Sequence, residues 1–189
     1  MSYKTYTTEA IVCGSRMNNT SDKSFLLFTR DAGMLWATAK SVREERSKQR
    51  FALQDFSLMK VSLIRGKSGW RIGSAESEIN FFSRSIEKER RTSVTQLIRL
   101  LRQFLHGEVT HLDLFADTKE VLLRLISAET KDIERLSAIY TLRLLHRLGY
   151  VADEPELSVY LTNQKWWELP PLPAKAQKAI ENAKTVSHL

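Results

Sequence analysis

The spacing of apolar residues changes near residue 82 of this 189-residue chain, from every second residue to every third or fourth. Alternation places side chains on the two faces of a strand, whereas a period of 3.6 places them on one face of a helix. A chain with one such change is expected to form a sheet in its first half and helices in its second half. We therefore predict an α+β (all-β then all-α) protein with two domains, residues 1–80 and residues 81–189.

The first domain contains five strand-like segments, EAIVCGSR, KSFLLFTR, MLWATAK, FSLMKVSLIRG and WRIGSAES. Turn residues in MNNTSD, DAG and GKSG separate most of them, and only the third and fourth are joined by a long connection. In the fourth segment Phe56 and Leu58 are out of phase with Met59, Val61 and Leu63, which predicts a β-bulge near Leu58. Five short, bent strands favour a small closed β-barrel over a sandwich.

The second domain has the pattern of several amphipathic helices. A first apolar stripe is formed by Val94, Leu97, Ile98, Leu101, Phe104 and Leu105. Further helices are predicted over residues 113–128 and 131–148, the second ended by Gly149, and a last helix is predicted to start near Ala174. Because each helix is apolar on one face only, the helices must pack on one another.

Motifs for catalysis, metal binding and export are weak in this sequence. A single cysteine, Cys13, rules out an internal disulfide, and the spacing of His106 and His111 does not place both on one helical face. The segment GKSG lacks the first glycine of a phosphate-binding loop, and no nucleophile motif is present. We expect no enzyme activity, metal or cofactor. Without an export signal or an apolar run of ~18 residues, we expect a cytoplasmic protein that is not in a membrane.

Basic side chains are concentrated in the first domain. The net charge is +7, and residues 1–80 contribute +5 of it, with 13 Lys and Arg against 8 Asp and Glu. An aromatic ring beside a row of cations suits single-stranded nucleic acid, whose bases stack and whose phosphates are negative. Two other interpretations stay open, namely that the basic side chains are only solvated and that Trp36 packs against the helical domain. The predicted nucleic-acid contacts are Trp36, Lys40, Arg43, Arg46, Lys48, Arg50, Arg65, Lys67 and Arg71.

Several segments together resemble the RecO family of bacterial recombination mediators. They are EAIVC, DKSFLLFTRDAG, KSVREERS and LQDF in the first domain and LRLLHRLGYVADEPEL in the second. This resemblance covers residues 8–157 in order and spacing. The sequence departs from the family pattern in Ser41, where the family has glycine, in Asp55, where it has proline, and in lacking the four-cysteine zinc site of many members.

The resemblance implies an oligonucleotide-binding (OB) barrel followed by a helical domain, in a protein that binds single-stranded DNA and anneals complementary strands. Duplex DNA is a further candidate ligand. The implied partners are RecR and the acidic C-terminal tail of the single-strand-binding protein, in a nucleoid-associated setting. For the tail we predict contacts with the helical cations Arg99, Arg102, Arg143 and Arg147. The alternatives are a protein-interaction adaptor and an RNA-binding barrel, neither with annealing activity.

Overall fold

The first half of the chain forms a barrel of five strands. The computed structural model describes residues 5–18, 21–42 and 49–186, apart from the side chains of Arg50 and Val186. The strands are β1 (Thr5–Met17), β2 (Lys23–Thr29), β3 (Gly33–Ala39), β4 (Ser57–Gly66) and β5 (Gly69–Asn80). They close in the order β1-β2-β3-β5-β4, so the predicted five-stranded barrel is confirmed.

One parallel strand pair completes the barrel. β3 and β5 run in the same direction, with Ala37 opposite Trp70 and Thr38 opposite Arg71, while the other neighbouring pairs are antiparallel. Closure leaves no free sheet edge, so ligands can reach this sheet only through its outer face or at the ends of the barrel. The interior is filled by alternate strand residues, among them Ala10, Val12, Phe25, Leu27, Leu35, Met59, Val61 and Leu63.

β-Bulges add single residues to two of the strands, namely Cys13 to β1 and both Gly73 and Glu78 to β5. A bulge is therefore present opposite Leu58, as predicted, but its additional residue, Glu78, belongs to β5 and not to β4. Leu58 is out of phase with Met59, Val61 and Leu63 because these three residues belong to the barrel interior and Leu58 does not. Leu58 is nevertheless buried, with 1% of its surface exposed.

Residues 106–119 cover part of the barrel's outer face. Phe28 contacts Phe115 edge to face, with the ring centres 5.3 Å apart. The backbone N–H of Met34 donates to the carbonyl of Gly107 at 2.9 Å. This segment and the barrel belong to one compact unit, although the predicted division placed the segment with the helices.

The second compact unit comprises residues 85–105 and 120–189. Within it α5 (Thr130–Arg147) packs on α3 (Lys88–Phe104), α6 (Ser158–Thr162) and α7 (Ala174–Val186), and the predicted α3 stripe is buried. Gly149 follows α5 with a φ of 80°, the left-handed conformation predicted there. The helices are α1 (Gln49–Ala52), α2 (Phe81–Arg84), α3 (Lys88–Phe104), α4 (Leu112–Leu125), α5 (Thr130–Arg147), α6 (Ser158–Thr162) and α7 (Ala174–Val186), with 3₁₀ turns at Pro155–Leu157 and Trp166–Glu168.

None of the helices that the structure describes is long and apolar enough to cross a membrane. Over the same residues, no three His, Cys, Asp or Glu side chains are grouped closely enough to hold a metal ion.

Candidate nucleic-acid interface

Trp36 lies on the outer face of β3. Its neighbours in sequence, Leu35 and Ala37, belong to the barrel interior. Trp36 itself is 37% exposed, so it is not a core residue. Its cross-strand neighbour on β2 is Leu26. A ring that the sheet holds in place and that solvent reaches can serve as a stacking surface for a nucleobase.

Arg16 is part of this surface and was not predicted from the sequence. Its guanidinium carbon lies 4.2 Å from the centre of the Trp36 ring, a cation–π contact. Register explains the contact, since Arg16 lies opposite Ser24 and Leu26 lies opposite Trp36. Simple alternation along β1 would have placed Arg16 in the interior, but the additional residue at Cys13 reverses the phase. The sequence pattern does not reveal this bulge, and for that reason Arg16 was not predicted.

Hydrogen-bonding side chains continue the surface next to Trp36. Asn18 Nδ2 donates to Ser24 Oγ at 2.7 Å, and the hydroxyls of Ser24 and Thr38 are 2.9 Å apart. These three residues come from β2, β3 and the turn after β1. Their bonds join neighbouring strands side by side, so the surface around the ring is held in one arrangement.

Three predicted cations lie on or near the same surface and are exposed. Arg71 is on β5, opposite Thr38 of β3. Lys40 directly follows β3, two residues beyond Thr38, and Lys67 is in the turn between β4 and β5. Arg16 therefore contacts the Trp36 ring directly, while Arg71 and Lys40 lie further along β3, beside and beyond Thr38. We call the set Arg16, Trp36, Thr38, Lys40 and Arg71 the β3 face.

Arg65, also predicted as a contact, is engaged within the barrel unit. Its Nη1 donates to both carboxylate oxygens of Glu108, at 2.9 and 2.7 Å, and its guanidinium carbon lies 4.8 Å from the centre of the Trp70 ring. Burial raises the pKa of Glu108, but the hydrogen bonds from Arg65, the indole N–H of Trp70 and the positive charge of Arg65 together lower it below its ordinary value. A phosphate would therefore have to compete with Glu108 for Arg65.

The long connection after β3 is fixed to the barrel at both ends. At its start Ser41 has a φ of 51°, a left-handed conformation that explains the glycine of the family pattern, and its N–H donates to Asp22 Oδ1 at 2.9 Å. At its end Gln49 Nε2 donates to the carbonyl of Gly73 at 2.8 Å. Arg50 follows in α1. The predicted contacts Arg43, Arg46 and Lys48 lie outside the described residues, as does the side chain of Arg50.

The four helical cations differ in their surroundings. Arg99 and Arg102 are exposed on α3, and Arg147 is partly buried in the last turn of α5. Arg143 is only 3% exposed, and its Nη1 donates to the carbonyls of Tyr160 (2.6 Å), Leu161 (2.8 Å) and Asn163 (3.4 Å). The prediction that Arg143 contacts a partner is not supported by this position, because its guanidinium is buried and donates to two α6 carbonyls and to that of Asn163.

A groove of about 710 Å³ lies in the helical unit beside Arg99. Its lining combines apolar residues with the cations Lys88 and Lys184 and the carboxylates Glu89 and Glu134. The lining includes Lys88, Leu97, Leu100, Ile133, Glu134 and Lys184. Arg99 follows the lining residue Gln96 by three positions, so the two share one side of α3.

The family model described as Recombination protein O N terminal matches residues 1–81 of the chain. Curated relatives extend the similarity into the helical unit. DNA repair protein RecO of Heliobacterium modesticaldum is 31% identical over 159 residues, which is 82% of this chain and 55% of the relative. DNA repair protein RecO of Caldanaerobacter subterraneus is 31% identical over 146 residues, which is 76% of this chain and 58% of the relative.

A third relative, DNA repair protein RecO of Desulfitobacterium hafniense, is 29% identical over 145 residues, 77% of this chain and 52% of its own. The chain spans about half the length of the curated relatives it matches. Barrel topology, the N-terminal match and the relatives that reach into the helical unit agree with one another. The barrel corresponds to the N-terminal domain of the RecO family, and the similarity to RecO proteins continues into the helical unit.

Proposed function

We propose that this protein acts in DNA repair and recombination by binding single-stranded DNA on the β3 face and promoting the annealing of complementary strands. The observation that supports it is the cation–π contact between Arg16 and the partly exposed indole of Trp36. Arg71, opposite Thr38 on β5, and Lys40, directly after β3, add positive charge further along the same surface. The names of the relatives place those proteins in DNA repair.

The chemistry of the β3 face suits annealing without catalysis. Cations neutralise the phosphates of two strands, which otherwise repel each other, and release condensed counterions. Stacking on an indole holds a base by its ring face, so its hydrogen-bonding edge stays available for a complementary base. The barrel interior is packed with apolar side chains, so binding takes place on the surface. Annealing therefore needs no nucleophile, acid–base pair or metal.

The proposal extends to partners through the groove between α3 and α5. An acidic peptide with an apolar end suits a groove that is lined by Leu97, Leu100 and Ile133 and by the cations Lys88 and Lys184, with Arg99 exposed on the same helix α3. The carboxylates Glu89 and Glu134 also line the groove, so the peptide must align its charges with the lysines. The acidic C-terminal tail of the single-strand-binding protein has this chemistry. We place the tail in this groove, and we propose that the protein assists recombinase loading together with RecR.

A titration with a labelled single strand tests the β3 face. Trp36→Ala should weaken binding about tenfold or more, since stacking of one base contributes about 1–3 kcal/mol. Lys40→Glu with Arg71→Glu should lower the slope of log affinity against log salt by about 1.4, because each lost phosphate contact removes about 0.7. Arg43→Glu with Lys48→Glu probes the connection in the same titration.

The matched control is Arg99→Glu with Arg102→Glu, which changes the net charge equally but on the helical unit. These variants should bind the single strand like the wild type. An unchanged affinity and salt slope in the β3-face variants would refute the proposal. Tighter binding of an RNA strand of the same sequence would instead favour the RNA-binding alternative.

A second titration, with a labelled peptide of the acidic tail, tests the groove. Lys88→Glu with Arg99→Glu should reduce peptide affinity about tenfold or more, because both charges then repel the acidic peptide. The β3-face variant Lys40→Glu with Arg71→Glu serves as the control and should leave peptide binding unchanged. Equal loss in both variants would show that only overall charge matters and that the groove is not the site.

A further inference from the structure

A second cleft opens at the end of the barrel, where β1 ends and β2 begins. It has a volume of about 430 Å³, and its walls include Met17, Lys23, Phe25, Val42, Leu53 and Asp55. Register places it close to the β3 face, since Lys23 lies opposite both Met17 of β1 and Ala39 of β3. A strand that crosses Trp36 toward Lys40 would reach this cleft next.

The walls of the cleft suit a flat aromatic ligand. Phe25, Val42 and Leu53 are core residues, so each presents a fixed apolar surface. Met17 is 70% exposed, and its flexible thioether makes an adaptable wall that packs well against rings. Lys23 Nζ lies 5.1 Å from the centre of the Phe25 ring, which puts a cation at the entrance. The volume falls in the range of small-molecule pockets, about 300–1,000 Å³.

Asp55 is the one carboxylate among the described residues that line the cleft. Its Oδ1 is buried and has no hydrogen-bond partner among the described residues. An ionised carboxylate can only accept hydrogen bonds, so a ligand must bring the donor. The backbone holds Asp55 in place, because its carbonyl accepts from Asn80 Nδ2 at 2.9 Å and the N–H of Phe56 donates to Val12 at 2.8 Å. Phe56 has a φ of 70°, a strained conformation that favourable surroundings must maintain.

We propose that this cleft receives one unstacked base of the bound strand and prefers bases that carry an exocyclic amino group. Adenine, cytosine and guanine each bring an exocyclic N–H₂ donor for Asp55, whereas thymine and uracil have none and carry a carbonyl oxygen where cytosine carries its N4 amino group. Lys23 supplies a cation for the adjoining phosphate. The inference rests on the proposed single-strand binding and adds a base preference to it.

A comparison of oligo(dC) with oligo(dT) of equal length tests the role of the amino group without a change in ring size, because both bases are pyrimidines. At pH 8 and fixed salt, oligo(dC) should bind the wild-type protein about fivefold or more tightly than oligo(dT), a difference typical of one good base contact. Asp55→Ala should remove this preference by weakening oligo(dC) binding. Affinity for oligo(dT) should stay the same or rise slightly, because a negative charge has been removed.

Glu76→Ala is the matched control, since Glu76 is an exposed carboxylate on β5 of the same barrel. It should change the affinities for oligo(dC) and oligo(dT) by the same factor. Equal binding of both oligomers by the wild type, or a preference that survives Asp55→Ala, would overturn the inference. The wild-type comparison decides the matter even if Asp55→Ala does not fold. If neither oligomer binds, the proposed single-strand binding itself fails.

Discussion

Replacing Gly33 by alanine is expected to destabilise the barrel unit by about 2–5 kcal/mol, which combines left-handed backbone strain of about 1–2 kcal/mol with overpacking of about 1–3 kcal/mol. Gly33 has a φ of 67°, and an added Cβ would lie against the carbonyl oxygen of Val109 and 2.8 Å from that of Gly107. Both are backbone atoms, so the clash cannot be relieved by the movement of a side chain. Urea or thermal unfolding measures the loss.

Gly107→Ala separates the two contributions. Gly107 has a φ of 84°, but an added Cβ there meets no atom of the described residues within 4 Å. This control variant should therefore lose only about 1–2 kcal/mol, the cost of the left-handed conformation. If Gly33→Ala were no less stable than Gly107→Ala, residues 107–109 could move away from the turn between β2 and β3 at no cost. The covering segment would then contribute little to the barrel unit.

Replacing Arg143 by methionine is expected to destabilise the helical unit by about 3 kcal/mol, because buried carbonyls left without a donor cost about 1–3 kcal/mol each. Its guanidinium serves the carbonyls of Tyr160, Leu161 and Asn163 and lies 5.5 Å from the centre of the Trp166 ring. Arg143→Lys should also be destabilised, since one ammonium cannot reproduce the planar fork of the guanidinium. Denaturant unfolding gives the free energy of unfolding for each variant.

Arg99→Met is the control for this prediction. Arg99 is exposed on α3, so the variant should stay within about 0.5 kcal/mol of the wild type. A wild-type free energy of unfolding for Arg143→Met, combined with loss of peptide binding, would contradict the structural role assigned to Arg143 and restore its predicted partner contact. Loss of stability with unchanged peptide affinity of the folded protein is the expected result.

Local features of the sequence predicted much of the secondary structure. The start of α7 at Ala174 and the left-handed Gly149 after α5 were predicted from a proline-rich segment and a helix-ending glycine. The helix predicted over residues 113–128 is present as α4, which begins one residue earlier and ends three residues earlier. Such features depend on a few neighbouring residues, so they can be recognised in the chain alone.

The candidate site was predicted only in part. Trp36, Lys40 and Arg71 do lie on or beside one exposed surface, because alternation along a strand is a local property. Arg16 was missed, since its face depends on a bulge that alternation cannot reveal. Arg65 and Arg143 were both predicted as contacts from their charge and their position in the sequence, beside a barrel turn and beside an apolar helix face. The folded chain instead engages Arg65 with Glu108 and buries Arg143 against the α6 carbonyls.

By itself the sequence determined the change from strands to helices, the turns between them and the excess of positive charge in the first half. The tertiary structure decided which of those charges share a surface with Trp36, which are engaged inside a unit, and where Asp55 opens into a cleft. The physical reason is that backbone periodicity acts over a few residues. Contacts between distant residues depend instead on strand register, bulges and barrel closure, which are set by the packing of the whole unit.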